Sequence, residues 1–520
     1  MKLAGLFSMP PVLRLNGYST LAPEELWGRL AQGRPPSALP GDFVLVAEGQ
    51  TERGFATVLV SSVVSALPYF YYVTPDGGTF AHGPTVFDCW RKAKISWEWN
   101  ARSLQCLALL QHTVGEDTLH RDIRRVPPAA ILVHDSSGLR VEIEPFWDEI
   151  FQKPGENSAD PEATLTIFNQ VFEEVAGRGQ VALSLSAGYD SRALLAAALH
   201  VGMKPQLATM GPSASTDRRL AALMAREFGL EHRAVELDPQ DYLREGARVV
   251  EITSGTKTAN HWHTHLFIRK AGFPTSAVHL AGSNGEWART YFLDKGLLAM
   301  MANWLPLPTS RWFWQAKYSP RRRIRLANLE RILPEQTEWS FADIPRLLDA
   351  IQPSAGPLLN RLDQFYACHR VRHFIGNGVA LYNAVVPTRS PFLDARFVRA
   401  AAGLPRSWKM NSRFHRYSIR RNCARLADFP TDESGISMSR QERKFYWLHK
   451  STAVGYDAFG SMLALPETKA LILDSPFLEQ FLPRAIREQS LMAKASPLLG
   501  LLITLHFAAE KVQHTKAQAA

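Results

Sequence analysis

The spacing of apolar and polar positions changes character along this chain. Up to about residue 148, short alternating or β-branched runs recur at residues 43–47, 57–64 and 69–73, and each reads as a strand. Pro75-Asp76-Gly77-Gly78, between Tyr72 and Phe80, predicts a tight turn, because glycine supplies positive φ and aspartate bonds its own loop. Alternation returns at residues 130–134 and 140–143, separated by Asp135-Ser136-Ser137-Gly138. Strands of this kind predict an antiparallel, layered sheet. A polar stretch at 153–161 (KPGENSADP) reads as a linker. Beyond it helices are expected at 163–174, 192–200 and 217–228, and strands at 181–185, 206–210 and 232–237. That alternation predicts a parallel sheet with crossover helices. From about Asp241 the chain reads as mostly helical.

Ligands of open parallel sheets bind beyond the carboxyl ends of the strands. Strand 181–185 runs there into Ser186-Ala187-Gly188-Tyr189-Asp190-Ser191 and then into an Ala- and Leu-rich helix. A small-residue turn before a helix offers backbone N–H groups to an anion. The hydroxyls of Ser186 and Ser191 and the carboxylate of Asp190 suit phosphate oxygens and Mg²⁺. No Gly-Lys-Ser/Thr follows, so this is not a Walker loop. An ordinary βα turn capped by Ser and Asp is the alternative.

At 520 residues the chain exceeds one core, and the expected division is 1–150, a linker at 151–162, and 163–520. A net charge of +10 permits polyphosphate, nucleic acid or an acidic partner without choosing among them. Cys89, Cys106, Cys368 and Cys423 lack disulfide-framework or zinc spacing, which fits a reducing cytoplasm. The opening segment is cut by Pro10 and Pro11, unlike a signal peptide. The apolar run 498–509 falls short of the ~20 residues of a membrane span. A packed terminal helix is expected there.

The 186–191 turn resembles the SGGxDS pyrophosphate loop of the ATP pyrophosphatases, with Ala187 in place of the first Gly. Further segments are similar, in order, to the asparagine synthetase family. These are Gly115 to Leu119, Ile123 to Pro128 and Phe146-Trp147-Asp148, then Asp217 with Phe228-Gly229 and His232. Gly282-Ser283-Asn284-Gly285-Glu286 stands where the family has its LSGEGADE loop. Arg389-Ser390-Pro391-Phe392-Leu393-Asp394, Leu404-Pro405 and Lys409 look like its RxPFLD…LP…K segment. The resemblance implies an N-terminal antiparallel, layered α+β domain (glutaminase-like, Ntn-type). An α/β ATP-pyrophosphatase domain (adenine nucleotide alpha hydrolase-like) with a helical C-terminal part would follow.

What it implies chemically is adenylation of a carboxylate by ATP with Mg²⁺, release of pyrophosphate, and attack by an amine. Ser186, Gly188 and Ser191 would hold pyrophosphate. Leu183, Ser184 and Leu185, with Thr209, Met210 and Gly211, would flank adenine and ribose. Asp190 and Glu286 would hold Mg²⁺. Lys409, Arg416 and Tyr382 are carried as catalytic candidates with Asp190, and His415 and Tyr417 as alternative bases.

Two departures stand out. Glutaminase-active relatives expose an N-terminal Cys, whereas position 2 here is Lys2, so no ammonia from glutamine is expected by that route. The family Glu two residues before the Arg of RxPFLD is Pro387, which cannot act as a base, and a family Lys is replaced by Arg416, which cannot shuttle a proton.

Other features carry competing readings. His261, His263 and His265 suit pocket lining or packing better than zinc. Trp262 and Trp287 line an acceptor pocket or belong to the core. The basic run Arg321-Arg322-Arg323 with Arg325 reads as a solvated helix start rather than a nucleic-acid patch.

The expected activity is an ATP-dependent, AMP-forming amide ligase independent of glutamine. Its substrate would be a small molecule or peptide, with a lasso-type precursor peptide or a biosynthetic protein as possible partner, in the cytoplasm, without nucleic acid or a membrane span. A tRNA- or nucleotide-modifying ATP pyrophosphatase and a degenerate nucleotide-binding relative remain as alternatives.

Overall fold

The computed structural model describes residues 2–152, 159–289, 363–430, 437–472 and 476–519. The Arg321–Arg325 run lies outside these residues, as do 153–158 of the expected linker.

In the N-terminal part, β1 (Val12–Tyr18), β2 (Asp42–Thr51), β3 (Gly54–Ser61), β7 (Ala130–Asp135) and β8 (Gly138–Ile143) form one antiparallel sheet in the order β1-β2-β3-β7-β8. A smaller sheet orders β5 (Phe80–Gly83), β4 (Phe70–Val73) and β6 (Arg124–Arg125). The alternation along β2 explains the layering. Phe43, Leu45 and Ala47 pack with Leu26 and Leu30 of helix α1 (Pro23–Ala31). Val44 and Val46 face the other way, onto Tyr69 and Tyr71 of the small sheet. Helices α2 (Val86–Ala93) and α3 (Ala101–Leu110) share a core with Phe70 and Tyr72, on the far side of that sheet. The predicted strands and the Pro75–Gly78 turn are present, with Gly77 at φ 75°. β1 and the three helices were not expected, so this part is less purely β than its pattern suggests.

Helix α4 (Phe146–Gln152) runs two residues into the expected linker 151–162, and α5 (Pro161–Ala176) starts two residues before the helix predicted at 163–174. The Asp160 carboxylate accepts from the N–H groups of Glu162 and Ala163, and Pro161 takes the first helical position, where its missing N–H costs nothing.

Five parallel strands follow in the order β11-β10-β9-β12-β13: β9 (Val181–Ser184), β10 (Gln206–Met210), β11 (His232–Val235), β12 (Val278–Leu280) and β13 (Thr388–Arg389). Helices α6 (Tyr189–His200), α7 (Thr216–Glu227), α8 (Tyr242–Thr253) and α9 (Trp262–Ala271) belong to the same part. The chain leaves β9 toward β10 on one side and later returns to pair β12 on its other side. That reversal makes the end of β9 the topological switch point.

The C-terminal part is helical. Its last helix, Gln489–Ala519, contains a stretch, Ala495–Gln518, long and apolar enough to cross a membrane. Two thirds of its most apolar window is buried within the fold, and Leu499, Leu502 and Ile503 are fully enclosed. One core unites these residues with α2, α3 and α8, so the N-terminal and C-terminal parts share apolar interior.

Candidate active site

A cavity of about 420 Å³ opens at the switch point. Ser184 and Leu185 at the end of β9, and Ser186 and Gly188 in the turn, form one wall. Tyr189, Asp190 and Ser191 add the first turn of α6, which begins three residues earlier than its Ala/Leu run predicts. Gly188 is its N-cap and supplies no side-chain cap, so the first-turn N–H groups keep the orphan donors of a helix start. Opposite lie Thr209 and Met210 at the end of β10 with Gly211 after it, Gly282 and Ser283 after β12, and Tyr382.

The turn is braced from within. Ser191 Oγ accepts from Ser186 N at 3.0 Å and lies 2.9 Å from Ser186 Oγ, which accepts from Gly188 N at 3.2 Å. Ala187 is buried behind the turn, and its N–H donates to Asp217 Oδ1 at 2.7 Å. Arg192, 1% exposed, donates to the carbonyls of Ala187, Phe429 and Pro430, tying the turn to the helical part. Leu183 lies inside the sheet.

Gly282 and Gly285 bring the next loop flush against α6. A Cβ at Gly285 would stand 2.4 Å from the Asp190 carboxylate, and one at Gly282 would stand 3.2 Å from the Ser191 backbone. Asn284 holds the left-handed turn between them at φ 73°. Glu286 follows, and Arg289 Nη2 lies 3.1 Å from Asp190 Oδ2 and 3.3 Å from Glu286 Oε1. Burial, then the charge of Asp190, pushes the Glu286 carboxyl up. Two carboxylates that crowd one cation are a donor set suited to Mg²⁺, with phosphate oxygens and water completing the shell. Arg289 carried no motif in the sequence and is the main site residue that sequence reasoning missed. His415 Nε2 lies 3.2 Å from Asp190 Oδ1, and burial pushes its pKa down to about 3, so the ring is neutral.

Beneath the Ser184 edge of the cavity runs a hydroxyl–imidazole chain. Thr388 Oγ1 donates to Val386 O, so it accepts from His279 Nδ1–H at 3.1 Å. His279 Nε2 is then the acceptor for the Ser184 hydroxyl at 2.7 Å. Burial pushes His279 down to about 3, which keeps it neutral. Ser184 therefore presents lone pairs, not its hydrogen, to the cavity.

The RxPFLD-like segment buttresses the loop. Arg389 and Asp394 form a buried pair at 2.7 Å, and Ser390 Oγ donates to Ser283 O. Pro387 O accepts from His279 N.

A family model described as asparagine synthase matches residues 168–432, just over half of the chain. The chain belongs to the asparagine synthase family. Comparison with curated proteins finds no match. The family carries an ATP-pyrophosphatase fold and makes this chain a carbon–nitrogen ligase that binds ATP.

In this family member not every candidate reaches the cavity wall. Lys409 is buried elsewhere, its Nζ donating to Ala402 O at 2.8 Å, and burial pushes its pKa down to about 8. Arg416 is exposed on helix Arg413–Asn422. Tyr417 bonds Glu162 on the surface. Trp262 packs on Tyr242 and Trp287 stacks on Trp147, which makes both of them core residues. His265 pairs with buried Glu245 at 2.7 Å, away from His261, which lies in the turn before α9.

Proposed function

We propose that this protein adenylates a substrate carboxylate with ATP, releases pyrophosphate, and joins the acyl group to an amine without hydrolysing glutamine. The observation that carries the reading is the switch-point cavity. It combines the Ser186–Ser191 turn, the N-terminus of α6, Asp190 and Arg289, and Arg289 joins Asp190 to Glu286 behind the wall.

Pyrophosphate would lie on the first-turn N–H groups of α6 and the Ser186 hydroxyl. Asp190 and Glu286 would hold Mg²⁺, which supplies charge neutralisation on the phosphates. Ser184, committed as an acceptor, suits an exocyclic adenine amine, and Thr209 sits across the cavity on the ribose side. Tyr382 closes this wall, and burial pushes its hydroxyl up to about 12, which makes it a hydrogen-bond donor rather than a base near neutrality. With Pro387 at the family's base position, the substrate amine is best supplied uncharged or deprotonated by a group the substrate brings.

The four cysteines support independence from glutamine. Burial pushes Cys106 and Cys368 up to about 12, and Cys89 and Cys423 are raised as well, so none is a ready thiolate. A small acid or a peptide is the proposed substrate, with intramolecular closure of a peptide as its best-defined form.

The test is ATP–pyrophosphate exchange with Mg²⁺ across a panel of amino acids, β-amino acids and peptides. Acid-dependent exchange is expected. Tight ATP·Mg²⁺ binding without exchange on any acid would favour a degenerate relative, and exchange dependent only on tRNA would favour the nucleic-acid reading.

A further inference from the structure

Adenylation places negative charge on its departing group, and few side-chain cations reach the wall of the switch-point cavity to meet it. Among the described residues that line the cavity, Arg289 is the only Lys or Arg. Lys409 and Arg416, the two cations that follow the family pattern, lie elsewhere. Lys409 Nζ donates to Ala402 O inside the helical part, and Arg416 is exposed on helix Arg413–Asn422.

Arg289 follows a turn whose backbone is anchored. Its N–H donates to Glu286 O at 3.1 Å, closing the short helix Gly285–Ala288, and Trp287 and Ala288 just before it are buried. The side chain itself stays partly exposed. Its Nη2 lies 3.1 Å from Asp190 Oδ2 and 3.3 Å from Glu286 Oε1, so one nitrogen serves two carboxylates. The other oxygen of Asp190 lies 3.2 Å from His415 Nε2. The planar fork of a guanidinium fits carboxylate and phosphate oxygens alike. Two classes of anion therefore compete for this side chain, namely the carboxylates that hold it and any phosphate in the cavity that it lines.

We propose that Arg289 is the side-chain cation that receives the departing pyrophosphate, and that it works from two seats. In one seat it neutralises Asp190 and Glu286. In the other, taken when those carboxylates hold Mg²⁺, its fork lies on phosphate oxygens. The assignment rests on the adenylating reading. In that step an oxygen of the substrate carboxylate forms a bond to the α-phosphorus while the bond from the α-phosphorus to the bridging oxygen breaks. The electron pair of the broken bond leaves with pyrophosphate, which then carries one more negative charge than it did within ATP, and no proton moves. A cation already in place where that charge develops lowers the barrier. The change of seat also keeps Asp190 and Glu286 compensated throughout. It gives Arg289 the work that Lys409 and Arg416, away from the cavity wall, do not perform.

The test titrates pyrophosphate·Mg²⁺ and AMP calorimetrically into the full chain, and follows Mn²⁺ alone by electron paramagnetic resonance, in wild type, Arg289→Met and Arg289→Lys. In the Met variant pyrophosphate·Mg²⁺ should bind about tenfold more weakly, the scale of one charge-assisted hydrogen bond. Mn²⁺ alone should bind more tightly, and AMP should bind as in wild type. Arg289→Lys, which keeps the charge and loses the fork, should hold pyrophosphate·Mg²⁺ with an affinity between the two. Opposite signs for pyrophosphate and metal separate this role from its rivals. Weaker binding of all three ligands would make Arg289 a brace of the loop, and tighter binding of both pyrophosphate and metal would make it only a competitor of the metal. Either result overturns the proposal, as does an unchanged pyrophosphate affinity or no pyrophosphate·Mg²⁺ binding by wild type. A Lys variant no better than Met overturns the assignment to charge. If pyrophosphate·Mg²⁺ binding depends on Arg289 while AMP does not bind and no acid supports exchange, the adenylating reading fails and the phosphate seat stands.

Discussion

Lys257 is buried with its Nζ donating to the Phe374 carbonyl at 2.6 Å, and its cost to the fold depends on pH. Burial, with Arg370 adding repulsion, pushes its pKa from 10.5 down to about 7. An unfolded chain holds this proton up to 10.5, while the folded chain releases it near 7. Between those values the unfolded state binds more protons, so stability rises with pH through the window. The full difference corresponds to about 5 kcal/mol, gained at no more than about 1.4 kcal/mol per pH unit. Lys257→Met removes that dependence. It also loses the hydrogen bond from Nζ to the Phe374 carbonyl, a roughly pH-independent loss of about 1 kcal/mol. The stability advantage of the Met variant should therefore be largest below pH 7 and shrink steadily toward pH 10. Thermal unfolding midpoints of both proteins at pH 6.5, 8.0 and 9.5 measure this. For a chain of this size the difference between the two curves should change by several degrees. Parallel curves would refute the reasoning, because they would mean that Lys257 stays charged and compensated throughout.

Asp190→Ala should lower ATP–pyrophosphate exchange by at least about 10²-fold, the scale of one preorganised electrostatic group, with the thermal midpoint retained; surviving exchange would remove Asp190 from the site. Arg289→Ala should tighten Mn²⁺ binding measured by electron paramagnetic resonance without nucleotide, since Asp190 and Glu286 lose their resident cation; weaker binding would show that the guanidinium does not compete with metal. Ser184→Ala should weaken ATP binding about fivefold, the worth of one hydrogen bond, and unchanged affinity would contradict an acceptor role. Asp394→Leu leaves buried Arg389 with Glu174, 3.3 Å away, as its carboxylate partner and should cost about 3 kcal/mol of stability by chemical denaturation, and a negligible change would show that Glu174 compensates the guanidinium alone.

The strand–turn–helix around Ser186 was legible because its parts obey local rules. The run 181–185 is apolar apart from Ser184 and holds no Gly or Pro, and Ala and Leu carry the helix from Arg192 onward. The start of α6 was misplaced because its N-cap is Gly188, whose own N–H is bonded by the Ser186 side chain, so neither Ser nor Asp marks the boundary. α1, α2 and α3 escaped because eight to ten residues hold barely three turns of period. β12 and β13 have three and two residues, too few for any alternation to show, yet they complete the sheet on which the Gly282–Glu286 loop is hung. Motif order places residues along the chain and not in space. Lys409 and Arg416 follow the family pattern, and neither lines the switch-point cavity: one is bonded to Ala402 O inside the helical part and the other is exposed.

The surroundings of Lys257 were illegible for a different reason. Lys257, His261 and Arg370 gain their meaning from burial beside one another, and more than 100 residues of chain separate the last from the others. The same separation explains why an N-terminal part without a ready thiolate would still be retained. Trp147 stacks on Trp287 behind Glu286, Val86 N donates to Ser254 Oγ, and Gln111 to Thr113 frame Lys257. Each contact joins the N-terminal part to the parts that follow it. The Glu286 loop and the Lys257 segment therefore depend on these layers for their position, whatever chemistry the layers themselves perform. Loss of glutamine hydrolysis would remove one function from the N-terminal part and leave the wall-building function intact, because the second depends on packing surfaces and backbone pairing and not on a nucleophile.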